Sequence, residues 1–367
     1  MVINVKDFGA VGDGQTNDTA AIQTAIDSVG IMGGSVLVPR GVYLVSEPIL
    51  LHDKITLFGE GIDTTILKIP DQHNEDIVGL VRTPFRTGTH YVSVRDLTLD
   101  GNCENQEDGE HYGFFCGVTP ARPESDFDIS CVRVEIRNFR VYGFDPHEVT
   151  TRLSLIDCVA HDNGRDGFVL DGTVNCLVKG CISYNNGRHG INIVTASRTC
   201  ILSENICYDN RKNGITIQNR SQAIQIVGNV VMRNADDGIY CIDVDHVIIQ
   251  NNQVRENYGN GIRIDGCPFT TITGNVLSNN SQGEHDTFSE ILIDDNDDIG
   301  TYQSLIAINT VESTGDIRCR YGIYETTGEN SAIQDLNAYI GNRIFGAVSA
   351  NMEIQGRHAE VRGNVEY

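Results

Sequence analysis

The chain has 367 residues, 40% of them apolar, with 27 Lys and Arg against 50 Asp and Glu for a formal charge of -23. That balance argues against nucleic acid as a partner, because no basic face could offset it cheaply. No run of 18 apolar residues occurs, so no membrane span is expected. In chain order, Met1-Val2-Ile3-Asn4-Val5-Lys6 enters patterned sequence directly, without the core of a secretory signal. Asp18 to Ile26 reads as a short amphipathic helix, with Thr16 or Asn17 as its cap. Such a helix would cover the open end of a solenoid, where unpaired strand edges invite aggregation. Eleven cysteines, an odd number without a C-x-x-C, fit neither a zinc site nor a disulfide framework. Most sit in apolar strand contexts such as Ile156-Asp157-Cys158-Val159 and read as small core residues.

From residue 143 onward the sequence repeats. Asn163, Asn186, Asn210, Asn234 and Asn257 each stand four residues before Gly167, Gly190, Gly214, Gly238 and Gly261. Those glycines are 23, 24, 24 and 23 residues apart, and Phe168, Ile191, Ile215, Ile239 and Ile262 follow them. Gly143, followed by Phe144, begins the series with Phe139 in place of the asparagine. A second column runs through Cys158, Cys181, Asn205, Asn229 and Asn252. Stacked asparagines can hydrogen-bond from rung to rung, and glycine would supply a turn conformation that other residues resist. The leucine frame of a leucine-rich repeat is missing. A right-handed parallel β-helix with a short N-terminal capping helix is the expected fold, one domain over 1–367.

The repeat aligns outward positions. Two residues past each glycine stand Asp145, Val169, Asn192, Thr216, Tyr240 and Arg263; two further on stand His147, Asp171, Val194, Gln218, Ile242 and Asp265. Rungs lie about 4.8 Å apart, so His147 should sit over Asp171 with Asp145 beside them. Tyr142 and His189 occupy the flanking column just before the glycines. A tyrosine, a histidine and two carboxylates on one face can supply an acid and a base. The acidic stretch Asp294 to Asp298 lacks the spacing of a calcium loop and reads as a solvated turn.

Tyr142-Gly-Phe-Asp-Pro-His-Glu148, together with Tyr184-Asn-Asn-Gly-Arg-His-Gly190, resembles the catalytic module of secreted bacterial mannuronan (alginate) C5-epimerases. Asn4 to Gly14, Asp96 to Asn102 and Ala160 to Gly164 extend the likeness over most of the chain. The resemblance implies a pectate-lyase-like solenoid, catalytic roles for Tyr142, Asp145, His147 and Asp171, and substrate contacts from Arg82, Arg188 and His189. It also implies extracellular alginate as substrate and dependence on Ca2+; a monomer is expected. Two groove lysines of the family are replaced, at positions holding Glu110 and Ile242. Epimerisation removes the proton at C5, α to a carboxylate, and returns one from the opposite face. His147 is assigned as the base and Tyr142 as the acid, since a tyrosine hydroxyl ordinarily titrates near 10. The same carbanion could expel the 4-O-linked sugar, which is the lyase reaction. A polygalacturonase is disfavoured because the Asp236-Asp237 pair follows Arg188-His189-Gly190 instead of preceding it. A tailspike-like binding solenoid would leave the Tyr/Asp/His/Asp cluster without a purpose.

Overall fold

Short β-branched runs, punctuated by glycine, asparagine and aspartate, become strands mostly of three or four residues whose ladders are parallel. The computed structural model describes residues 2–85, 87–117, 125–296, 299–327 and 334–367. It divides into two compact units, Met1–Gly187 and Arg188–Tyr367. Each is a parallel β-helix.

In the first unit one sheet stacks Ile49–Leu50, Val81–Arg82, Phe114–Cys116, Phe144–Pro146 and Phe168–Asp171. Strand alternation sends Phe114, Phe144 and Phe168 inward. All three are fully buried, with successive ring centroids 6.3 and 4.7 Å apart. The alternate residues Leu50, Arg82, Phe115 and Asp145 form the outward column. Helix α1 (Thr19–Ser28) buries Ile22, Ala25 and Ile26. Its Gln23 amide exchanges hydrogen bonds of 2.8 and 3.1 Å with the backbone of Leu50, satisfying part of a sheet edge. The helix begins at Thr19, with Asp18 at the cap position expected for Thr16 or Asn17, although Asn17 Oδ1 does accept from Thr19 N–H at 3.1 Å. The Asp18 carboxylate is turned outward from the helix to accept Val11 and Gly12 N–H groups at 2.7 and 3.0 Å.

In the second unit the corresponding core column is aliphatic. Ile191, Ile215, Ile239, Ile262, Ile291 and Ile323 are in register and fully buried. Each such side chain contributes about 1.5–3 kcal/mol on leaving water. Asn205, Asn229, Asn252, Asn275, Asn309, Asn342 and Asn364 form one continuous ladder. Each Nδ2 donates to the next Oδ1 at 2.9 or 3.0 Å. A second ladder, Asn210, Asn234, Asn257 and Asn280, ends on the buried carboxylate of Glu290. The first unit carries the equivalent pair Asn163 and Asn186.

The ladders also correct the reason given for the glycines. The left-handed turn is taken by the residue before each ladder asparagine: Asp162, Asp209, Arg233 and Glu256 have φ between 52° and 55°. Gly190 and Gly238 are needed for closeness instead. A Cβ on either would stand 2.6 Å from the next rung's glycine carbonyl and 2.9 or 2.7 Å from a ladder Nδ2. All eleven cysteines are free and, Cys103 apart, buried, as core residues should be.

Asn229→Ala removes a side chain that gives two and accepts two buried hydrogen bonds. The loss should cost about 3 kcal/mol or more, since each orphaned buried group costs about 1–3. Calorimetry should show Tm lowered by several degrees; a melting curve like that of the parent would exclude the ladder as a source of stability.

Candidate active site

The Phe144–Pro146 strand brings Asp145 out of the sheet and then releases the chain into His147-Glu148. His147 N–H donates to Cys116 O at 2.7 Å, so the residue is tied to the neighbouring rung. Gly117 (φ 124°) and Gly172 (φ 63°) flank this segment, and a side chain on either would run into the backbone of His147 or the stem of Glu148. The His147 ring lies against Phe115, with centroids 5.6 Å apart and planes at 23°. Its Nε2 is 3.3 Å from Asp171 Oδ2, and its Nδ1 is hydrogen-bonded to Glu148 Oε2. The expected stacking of His147 over Asp171 is therefore present.

Burial favours the neutral imidazole, but Asp145, Asp171 and Glu148 outweigh it and hold His147 above its ordinary value. Asp145 is only 3% exposed. Burial pushes its carboxyl up to about 7; His147 pulls it back, while Asp171, Asp166 and Glu148 push further. A carboxyl of this kind is substantially protonated at neutral pH and can donate a hydrogen bond.

Arg82 shares the outward column with Phe115 and Asp145. Its guanidinium lies over the Phe85 ring and 5.4 Å from the Phe115 centroid, donating to Thr83 O at 2.9 Å and Val78 O at 3.2 Å. Burial lowers it to about 10, so it remains a cation at neutral pH. Among the described residues no carboxylate forms an ion pair with it. Tyr142 lies on the rim, with its ring 5.6 Å from that of Tyr112 and its hydroxyl accepting from Arg165 at 3.4 Å. Tyr112 in turn donates to Glu110 at 3.1 Å.

The first unit thus brings together Tyr142, Asp145, His147, Asp171 and Arg82. Arg188 and His189 belong to the second unit. There His189 Nδ1 lies 3.1 Å from Thr216 Oγ1, and burial, with Arg188 and Lys212 nearby, pushes its imidazole down to about 3. It is a neutral hydrogen-bonding group.

Three contributors escaped the sequence reading. Glu148 was visible as the last letter of the Asp-Pro-His-Glu motif, but nothing in its spacing gave it a role. Phe115 lies in the outward column, on a rung before the regular repeat begins. Asp126 had no signal at all. Its buried carboxylate accepts from Thr83 Oγ1, from Thr89 N at 2.7 Å and from Gly117 N at 2.8 Å. It fastens the segments that follow Arg82 and Cys116, and so fixes two walls of the site.

His147, Glu148 and Asp171 each offer an atom within 4.8 Å of the others, the geometry of a potential metal site. The buried Asp171 Oδ1 has no hydrogen-bond partner among the described residues. However, calcium takes six to eight oxygens, and this set holds one imidazole whose two nitrogens already face carboxylates. The cluster does not fit calcium. In the acidic stretch, Asp294 is engaged by Thr326 and Arg263, and Asp297 and Asp298 lie outside the described residues.

A family model described as rhamnogalacturonase A/epimerase, pectate lyase-like, matches residues 2–116. One described as periplasmic copper-binding protein (NosD) matches residues 148–306. Over 205 residues, 54% of the chain, the sequence is 44% identical to alginate lyase 7 of Azotobacter vinelandii. That stretch is only 24% of the relative's length. Over its whole length the chain matches the A-module of mannuronan C-5 epimerase AlgE6 from Azotobacter vinelandii, with TM-score 0.93 and 33% identity, covering 99% of that module. The chain belongs to the mannuronan C5-epimerase A-module family. The AlgE4 A-module of the same organism gives TM-score 0.92 and 33% identity, with 99% of this chain and all of that one covered.

In this A-module family member, Asp126→Ala would leave Thr83, Thr89 and Gly117 without their shared acceptor. Loss of a buried charged acceptor costs about 3–5 kcal/mol. Hydrogen exchange should then quicken selectively at the amides of Thr89 and Gly117. Unchanged protection there would remove Asp126 from the frame of the site.

Proposed function

We propose that the chain is a mannuronan C5-epimerase, converting β-D-mannuronate residues of alginate to α-L-guluronate. The observation that carries the reading is His147 held between Asp171 and Glu148, beside a buried Asp145 carboxyl titrating at about 7. His147 is the base. Its contact with Asp171 spans 3.3 Å and is the one a substrate can displace, so Nε2 takes the C5 proton while Nδ1–H stays on Glu148. That second hydrogen bond fixes the tautomer, as an orienting carboxylate does for other catalytic histidines. Removing the proton drives negative charge into the sugar carboxylate. Protonated Asp145 donates a hydrogen bond to that charge, and the cation of Arg82 adds to it. Tyr142, polarised by Arg165, returns a proton to the opposite face. Arg188 and His189 are assigned to sugar contacts on the second unit. An extracellular location is proposed from the family resemblance. Calcium dependence is proposed from the family resemblance, and no step runs through the ion.

A second outcome of the same carbanion is expulsion of the 4-O-linked sugar. It is favoured by one specific observation, the 44% identity to alginate lyase 7. Polymannuronate followed together by proton NMR and by absorbance near 230 nm separates the two. New guluronate signals mark epimerisation and a rising unsaturated chromophore marks cleavage. His147→Ala and Tyr142→Phe should each lower the rate about 10²–10⁴-fold, the usual worth of a positioned acid or base. In deuterated water Tyr142→Phe should still exchange the C5 proton of unreacted mannuronate, and His147→Ala should not. The reverse pattern would exchange the two roles.

The pH dependence follows from the two raised groups. The base must be deprotonated, so activity rises with pH through a His147 value above the ordinary 6.5. Asp145 must keep its proton, so activity falls as pH rises through about 7. The two titrate as a coupled pair, and kcat/KM should trace a narrow bell around neutrality. Asp145→Asn keeps a donor without a titration and should move the alkaline limb upward. An alkaline limb left in place would assign it to another group.

A further inference from the structure

We propose that the second unit carries a binding site for a uronate residue of the polysaccharide, in a cleft walled by Arg263, Phe288, Leu292, Arg320, Tyr321 and Tyr324. The site rests on the proposed function for its ligand, but it uses none of the residues to which that reading gives chemistry.

The cleft measures about 320 Å³, roughly the room a sugar unit needs. Its floor comes from the outward column of the sheet, where Arg263, Leu292 and Tyr324 stand on successive rungs. Tyr321 and Tyr324 stack on one another, with centroids 4.5 Å apart and planes at 30°. Together they present a broad aromatic surface of the kind that packs against the apolar face of a sugar ring.

The two arginines are not equivalent. Arg263 is committed: Nε is 3.0 Å from Asp265 Oδ1, NH2 is 2.8 Å from Asp265 Oδ2, and Asp294 lies 3.8 Å away. Tyr240 also donates to Asp265 at 2.8 Å, fixing the same carboxylate from the other side. Asp294, which also lines the cleft, accepts from the Thr326 hydroxyl at 2.7 Å. Arg320 is different. Its guanidinium lies 5.3 Å from the Tyr321 centroid, and among the described residues no carboxylate pairs with it. Its backbone is nonetheless fixed, since Arg320 N–H donates to Phe288 O at 2.7 Å and Arg320 O accepts from Ser349 at 3.0 Å. In a chain of charge -23, an exposed arginine without a carboxylate partner, held beside an aromatic platform, is a receptor for an anion. Carboxylate on Arg320 and ring on Tyr324 together describe a uronate, and neither contact alone would.

Affinity electrophoresis through gels containing polymannuronate reads binding without turnover. Arg320→Ala and Tyr324→Ala should each bind roughly fivefold more weakly than the parent, the size of a partly exposed contact. The Arg320 effect should shrink as salt is raised. Arg357→Ala, which removes an exposed arginine not lining the cleft, controls for net charge and should migrate as the parent does. Melting curves matching the parent's guard against misfolding. Parent-like retention of either cleft variant overturns the site, and an equal loss of Arg320→Ala binding to a neutral mannan overturns the carboxylate contact. Failure of the parent to make guluronate counts against the proposed function alone, because retention is measured without catalysis.

Discussion

Everything about this chain depends on how closely one rung approaches the next. The backbone spacing of parallel strands is fixed by hydrogen bonds. At the strand starts, glycine carbonyls lie so near the glycine above that a Cβ would intrude at 2.6 Å in the case of Gly190. Buried asparagine amides fill the space beside them, each satisfied by the rung that follows. A buried amide without partners is costly, so the ladder works only with every member in register. Register then has a chemical consequence. It decides which side chains on successive rungs meet, and hence whether His147 reaches Asp171.

The same constraint explains what could be read from sequence. The Asn and Gly spacing carried the fold and aligned His147 with Asp171, because both lie inside the regular repeat. It carried Asp145 for the same reason. Phe115, one rung earlier, sits where insertions between strands break the period, and no count from Gly143 could find it. Asp126 follows residues 118–124 and acts on Thr83, Thr89 and Gly117 through contacts 9 to 43 residues apart in sequence. Long-range pairing of that kind leaves no periodic trace. The glycines were located correctly but for the wrong reason, since aspartate, arginine and glutamate take the left-handed turns. A spacing pattern reports that a position is special; it does not distinguish strain from crowding.

Asp145 and Glu290 illustrate how neighbours, not burial, assign different tasks to similar groups. Both are pushed to about 7 by loss of water. Glu290 closes a column of asparagines, accepting from Asn280 N at 3.0 Å. Its work is structural. Asp145 is surrounded by His147, Asp171, Asp166 and Glu148, so its proton is contested by neighbouring charges. A carboxyl whose proton depends on its neighbours can answer to a change of charge on a substrate.

This bears on how so acidic a chain would accommodate the polyanion proposed as its substrate. Net charge governs the far field, which salt screens within about 8–10 Å. At contact, local groups decide. In the first unit Asp145 carries its proton about half the time near neutrality, Asp171 and Glu148 are turned onto His147, and Arg82 keeps its charge beside two aromatic rings. Asp145, Asp171 and Glu148 are thus partly protonated or spent on a histidine. The imidazole that absorbs the charge of Asp171 and Glu148 is also the one that must release a proton to become a base. In the proposed mechanism, displacing Asp171 on binding would lower the hold on that proton, because one of the carboxylates that raised the imidazole would be exchanged for a sugar carbon. Binding and activation of the proposed base would then be one event, with repulsion relieved by the same contact that begins the chemistry.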